Sequence, residues 1–170
     1  MTYCVGLRLN SGLVFMSDTR TNAGVDNFST TKKMFTWNVP GERTITLMTA
    51  GNLATTQALI SLLEERSKTV SERSSGFKAS VIVGGQIKGG APTLFLIYPE
   101  GNFIEVTDDT PFFQIGEAKY GKPILVRAYE PDMSFEDAIK LLVVSFDSTI
   151  KANLSVGLPL DLQVYETDSF

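Results

Sequence analysis

The chain has 170 residues, of which 43% are hydrophobic and 20% charged, with a formal net charge of −4. The acidic balance argues against a nucleic-acid binder, which would carry a basic stripe, and no apolar run approaches the roughly 18 residues that cross a bilayer. There is no histidine, so a Ser-His-Asp triad, a Cys-His pair, a His-ligated zinc and a histidine general base are all excluded. Any hydrolytic chemistry must take its base from a lysine, a carboxylate or an amine. The single cysteine, Cys4, provides no disulfide framework and fits a reducing, cytoplasmic setting. Arg8 and Asn10 interrupt the only early apolar stretch, so no secretory signal is expected.

The amino terminus alternates: Tyr3, Val5, Leu7 and Leu9 share one face of a strand, while Cys4, Gly6 and Arg8 share the other. Asn10-Ser11-Gly12 is a turn signal, and a second strand runs from Leu13 to Ser17. This hairpin brings Asp18 back to the level of Thr2. Residues 19–32 are polar and lack periodicity, which predicts a loop. A strand from Lys33 to Val39, a Pro40-Gly41-Glu42 turn and a strand from Thr44 to Thr49 follow. Ala50-Gly51-Asn52 then opens a helix whose apolar positions are Leu53, Ala54, Ala58, Leu59, Leu62 and Leu63. Residues 64–78 are polar.

The second half supplies strands at Ser80–Val83, Thr93–Tyr98, Phe103–Val106 and Phe112–Ile115, with a Pro99-Glu100-Gly101-Asn102 hairpin turn. Ser134, with Asp137 three residues on, starts a helix. Its buried stripe is Ala138, Ile139, Leu142, Val143, Phe146 and Ile150. Leu160, Leu162 and Val164 alternate as a last strand. Hairpins in place of β-α-β alternation predict antiparallel sheet. The expected α+β domain, spanning 1–170, has two packed sheets with helices outside.

Three short signatures occur in order. A threonine directly follows Met1 and opens a strand; Asp18-Thr19-Arg20 ends the next strand; Lys32-Lys33 leads a strand and Thr49-Ala50-Gly51 precedes a helix. This set resembles proteasome β-subunits and HslV-type peptidases, which are N-terminal-nucleophile hydrolases. Four longer stretches are similar to the Anbu family of bacterial proteasome-related β-subunits: MTYCVGLRLNSGLVFMSDTRTNAGVDN, TAGNLATTQALISLL, LFLIYPEGNFIEVTDDTPFFQIGEAKYGKPIL and ANLSVGLPLDLQVYE. The resemblance covers nearly the whole chain. It implies a four-layer αββα sandwich, a peptide or amide substrate, no cofactor and no metal. It also implies a homo-oligomer, either a ring or an open spiral, and names no ATPase partner. Residues 64–78 are shorter than the family's usual connection, so a shortened helical layer is expected, leaving a sheet face for a partner subunit.

The chemistry that the resemblance implies suits a chain without histidine. An N-terminal threonine carries a hydroxyl nucleophile and, once Met1 is removed, an α-amine that titrates near ~7.7–8.0 and can take the hydroxyl proton. The resemblance gives Thr2 the nucleophile's role, a lysine beside it, Asp18 as that lysine's ion-pair partner, and Gly51 as the oxyanion donor through its backbone N–H. Lys33 is the family's position for the lysine, with Lys32 as the alternative that only facing decides. Arg20 is expected to brace the loop, and Cys4 to pack in the sheet. Distally, this chain departs from the family. Gly116-Glu117-Ala118 lacks the family's serine, and Asn153-Leu154-Ser155-Val156-Gly157 has no aspartate just upstream. Ser155 is the candidate to hydrogen-bond the α-amine, with Asn153 or Glu117 compensating. The competing readings are a non-catalytic or weakly active scaffold subunit, and an amide-transfer enzyme of the same fold.

Overall fold

The computed structural model describes residues 1–22, 28–66 and 79–170. In chain order the strands begin with β1 (Tyr3–Leu9), β2 (Gly12–Asp18), β3 (Arg20–Asn22), β4 (Phe28–Thr30), β5 (Met34–Val39) and β6 (Arg43–Gly51). Helix α1 (Leu53–Arg66) precedes β7 (Ala79–Ile87), β8 (Thr93–Ile97), β9 (Phe103–Glu105) and β10 (Phe112–Gly116). Helices α2 (Lys122–Ala128) and α3 (Phe135–Ala152) and strand β11 (Leu160–Glu166) complete the chain. Among the described residues no helix is long and apolar enough to cross a membrane.

One sheet has the order β10-β1-β2-β11 and the other β5-β6-β7-β8-β9, with antiparallel pairing throughout. Three apolar clusters mark the interfaces of an αββα sandwich. Tyr3, Val5, Leu7 and Leu9 pack with Val14, Met16, Leu125, Leu142 and Phe146 between the first sheet and α2–α3. Cys4, Leu13, Phe15, Met48, Ile82, Leu94 and Phe113 fill the space between the sheets. Leu47, Val81 and Ile60 join the second sheet to α1. The alternation read from the amino terminus therefore sorts its residues onto two different interfaces, as period two requires. Each fully buried Leu or Phe here stabilises by roughly 1.5–3 kcal/mol.

Helix α3 begins as expected: the Ser134 hydroxyl oxygen accepts the Asp137 N–H at 3.1 Å. Its buried stripe is rotated from the expected one. Leu141, Ser145 and Thr149 are buried along with Ala138, Leu142 and Phe146, while Val143 faces out at 49% exposure. The polar members are buried because Ser145 and the Tyr3 hydroxyl share a hydrogen bond of 2.6 Å, which periodicity of apolar residues does not register.

Other expectations are corrected. Residues 19–32 hold a short hairpin, β3 with β4, in place of a plain loop, and its turn at 23–27 lies outside the described residues. The strand expected at Ser80–Val83 continues through Gly84-Gly85 to Ile87. Gly84 belongs in the strand because the sheets meet there: a β-carbon would stand 2.2 Å from Leu94 Cδ2 and 2.8 Å from the Phe15 ring. Helix α2 is absent from the sequence reading although Pro123 sits in its first turn, a helix-start signal. On α1 the buried positions are Thr56 and Ile60, while Leu53, Leu62 and Leu63 are exposed. On β11 Tyr165 is buried between the sheets, whereas Leu162 and Val164 are exposed. Helix α3 packs over β1 and β2. The polar stretch at 64–78 lies outside the described residues from 67 onward.

Candidate active site

The β1–β2 hairpin sets Cys4 opposite Ser17, which places Asp18 beside Tyr3 and so next to Thr2. Asp18 is fully buried, and four donors converge on it. Its Oδ1 accepts the Tyr3 N–H at 2.9 Å and the Lys33 ammonium at 2.8 Å. Its Oδ2 accepts the Arg20 N–H at 3.1 Å and the Gly157 N–H at 3.4 Å. Lys33 is 6% exposed and also donates to the Arg20 carbonyl at 2.7 Å. Its neighbour Lys32 is exposed and stands 5.6 Å from the centre of the Phe35 ring, away from Asp18's donors. Facing thus separates the two lysines, and Lys33 is the one turned to Asp18.

Thr2, Lys33 and Gly51 border one cavity of about 690 Å³, along with Thr21, Thr31, Lys32, Thr49, Asn52 and Gly116. Asp18 lies behind it. Gly51 ends β6 with φ of 140°, a left-handed value that favours glycine. The first N–H groups of α1 are not all open: Asn52 Oδ1 accepts from Ala54 at 2.8 Å and from Thr55 at 3.4 Å. The Ala54 and Thr55 N–H groups are thus already engaged, while Gly51 itself borders the cavity.

Of the distal candidates, Asn153 and Glu117 are bonded to each other. Ser155 does not border the cavity, and its backbone N–H donates to Asn153 Oδ1 at 3.0 Å. Asn153 Nδ2 instead donates to Glu117 Oε2 at 2.6 Å and lies 3.1 Å from the Met1 sulfur. The Glu117 N–H donates to the Thr2 carbonyl at 2.8 Å. The Lys119 N–H holds the Glu117 carboxyl below the usual carboxylate range, aided by Asn153 and the Ala118 N–H.

Two glycines to which the sequence reading gave no role shape the site. Gly116 has φ of 88°, and a β-carbon there would stand 1.9 Å from the Thr2 carbonyl oxygen. At Gly157 a β-carbon would stand 2.2 Å from the Arg20 guanidinium carbon, so any larger residue there displaces the Arg20 side chain. The recoverable signal was a glycine at the end of each segment that approaches the chain start. Arg20 braces, as expected, donating to the Leu154 carbonyl at 2.9 Å and lying 5.4 Å above the Phe28 ring. Cys4 is packed between the sheets, where burial pushes its thiol above its ordinary range.

A lysine–carboxylate pair buried beside the second residue, within two stacked sheets flanked by helices, is an arrangement of the N-terminal-nucleophile hydrolase fold. The chain belongs to the proteasome subunit family, whose model, "Proteasome subunit", matches residues 65–162. It is 30% identical to proteasome subunit beta 2 of Pyrobaculum neutrophilum, over 95% of this chain and 87% of that one. Similar solved structures include Anbu proteins. An Anbu (Gly-1) mutant from Hyphomicrobium sp. strain MC1 superimposes with a TM-score of 0.94 at 51% identity, covering 100% of this chain and 84% of that one. The helical assembly of the Anbu complex from Pseudomonas aeruginosa gives 0.91 at 47% identity, over 99% and 83% of the two chains.

Proposed function

We propose that this chain is an N-terminal threonine hydrolase of peptides or amides, active after removal of Met1. The observation that carries the reading is the buried Lys33–Asp18 pair at 2.8 Å, whose lysine borders the same cavity as Thr2 and Gly51. In this reading the Thr2 hydroxyl oxygen attacks the substrate carbonyl carbon, and its proton passes to the freed α-amine, directly or through water. Lys33 favours the developing negative charge at the Thr2 oxygen and is held charged by Asp18. The Gly51 N–H stabilises the oxyanion. Collapse breaks the C–N bond, the leaving amine takes the proton from the α-ammonium, and a threonine ester remains. Water hydrolyses that ester by the same proton route in reverse. With Met1 attached, the nitrogen of Thr2 is an amide and cannot act as base.

The test combines intact mass with a threonine-directed β-lactone or epoxyketone. The form lacking Met1 should acquire one adduct per chain, mapped to Thr2, and Thr2→Ala should acquire none. Undiminished labelling of Thr2→Ala, or full activity from a chain retaining Met1, rejects the assignment. A processed chain that takes no adduct would favour the scaffold reading.

We infer that the chain works as a homo-oligomer in the cytoplasm. The helical assembly described for the Pseudomonas aeruginosa relative supports the oligomer. So do the exposed apolar side chains Val143, Val144, Leu162 and Val164 on the outer layer. Light scattering coupled to size exclusion should give a mass several times the 18.6 kDa of one chain; a monomer at micromolar concentration contradicts it.

A further inference from the structure

Two carboxylates stand next to residue 2, and their remaining hydrogen-bonding capacity differs. An ionised carboxylate accepts about four hydrogen bonds. Asp18 already receives four, two on each oxygen. Among the described residues Glu117 receives three: Oε1 takes the Ala118 and Lys119 N–H groups at 3.0 and 2.9 Å, and Oε2 takes Asn153 Nδ2 at 2.6 Å. Glu117 is 7% exposed, and its own N–H is tied to the Thr2 carbonyl. The group is thus a rigid anion with one open lone pair.

This carboxylate is near the chain start. The Asn153 amide that binds Glu117 also contacts the Met1 sulfur at 3.1 Å, so the Met1 side chain reaches the Glu117–Asn153 pair. Loss of Met1 removes that side chain and converts the Thr2 nitrogen into an ammonium with three donors. Asp18 has no acceptor left for it.

We propose that Glu117, held by Asn153, receives the α-ammonium of Thr2 once Met1 is gone. Glu117 is then a positioning residue: it orients the amine toward the Thr2 hydroxyl and keeps it charged to higher pH. This rests on the reading that Thr2 is freed as the terminal residue. The other charged groups around this point are Lys33 and Asp18 beside β1, Arg20 after β2, and Lys119 beyond β10. Lys33 pushes the amine the opposite way, by repulsion of like charge. With Glu117 outweighing Lys33, the base is released only toward alkaline pH, and the reaction rate should rise there.

The test uses the full chain with Thr2 exposed by cleavage of a ubiquitin fusion. The protonation of the terminal amine is read from its acetylation rate against pH, by mass spectrometry of the N-terminal peptide. This readout needs no catalysis. Glu117→Gln should lower the amine's midpoint by about one pH unit, Asn153→Ala should lower it less, and Lys33→Met should raise it. A Glu117→Gln midpoint coincident with wild type, in a protein of unchanged circular dichroism, overturns the proposal. If Glu117→Gln does not fold, an Asn153→Ala midpoint coincident with wild type overturns it equally. β-Lactone labelling on the same samples separates the two claims. A shifted amine without a Thr2 adduct rejects the hydrolase reading alone, and a Thr2 adduct with an unshifted amine rejects the role of Glu117 alone.

Discussion

Lys33 Nζ lies 2.8 Å from Asp18 Oδ1, and both side chains are withdrawn from solvent, at 8% and 0% exposure. The two partners are not equivalent. Asp18 keeps three backbone N–H donors if the lysine is lost, whereas Lys33 keeps only the Arg20 carbonyl if the carboxylate is lost. Removing one member of a buried pair costs about 3–5 kcal/mol when it leaves an uncompensated charge. Asp18→Ala should therefore destabilise by about that amount, and Lys33→Met by clearly less. Urea unfolding midpoints of the two variants check this, and the reverse order contradicts it.

Gly116 lets the end of β10 close on the chain start. Alanine there meets both a left-handed φ of 88° and a β-carbon 1.9 Å from the Thr2 carbonyl. A non-glycine residue in that backbone region costs about 1–3 kcal/mol before any clash. Gly116→Ala should lose at least that much, together with the Glu117 N–H bond to Thr2. It should also cut Thr2 labelling, while Gly101→Ala, at an open turn with no atom within 4 Å, should leave labelling intact. Equal labelling of the two variants would deny Gly116 its part in placing Thr2.

Tyr3 is fully buried, shares a hydrogen bond of 2.6 Å with Ser145, and has its phenol pushed up to about 12 by burial. The folded state holds this proton more tightly than the unfolded chain. Its contribution is complete below pH 10, the unfolded value, and disappears as pH rises to about 12. Wild type should lose about 3 kcal/mol across that interval through this group. Tyr3→Phe should be less stable by about 1 kcal/mol at neutral pH, where Ser145 loses its partner, and should lack this alkaline fall. Urea titrations at pH 8, 10 and 11.5 test it, and parallel alkaline falls in the two proteins would contradict it.

Much of the architecture was legible because alternation is local. The face-sorting of Tyr3, Val5, Leu7 and Leu9 against Cys4, and the capped start of α3 at Ser134, both follow from residues a few positions apart. So does the return of Asp18 to the level of Thr2, since a tight turn at Asn10-Ser11-Gly12 leaves one register. The absence of histidine narrowed the candidate chemistry to an amine, a lysine or a carboxylate without reference to any fold.

Other features depended on partners far away in sequence. Burial of Ser145 depends on Tyr3, 142 positions distant, and no periodicity in α3 records it. The extension of β7 through Gly84 depends on Phe15 and Leu94 across the inter-sheet space. Lys32 and Lys33 are chemically identical in sequence, and only the turn of the backbone into β5 aims one of them at Asp18. The Glu117–Asn153 pair joins two segments 36 residues apart. Residue types proposed the reactive groups, but which of them share a low-dielectric space and which acceptors are already filled is a property of the packed chain, because hydrogen-bond saturation is counted in three dimensions.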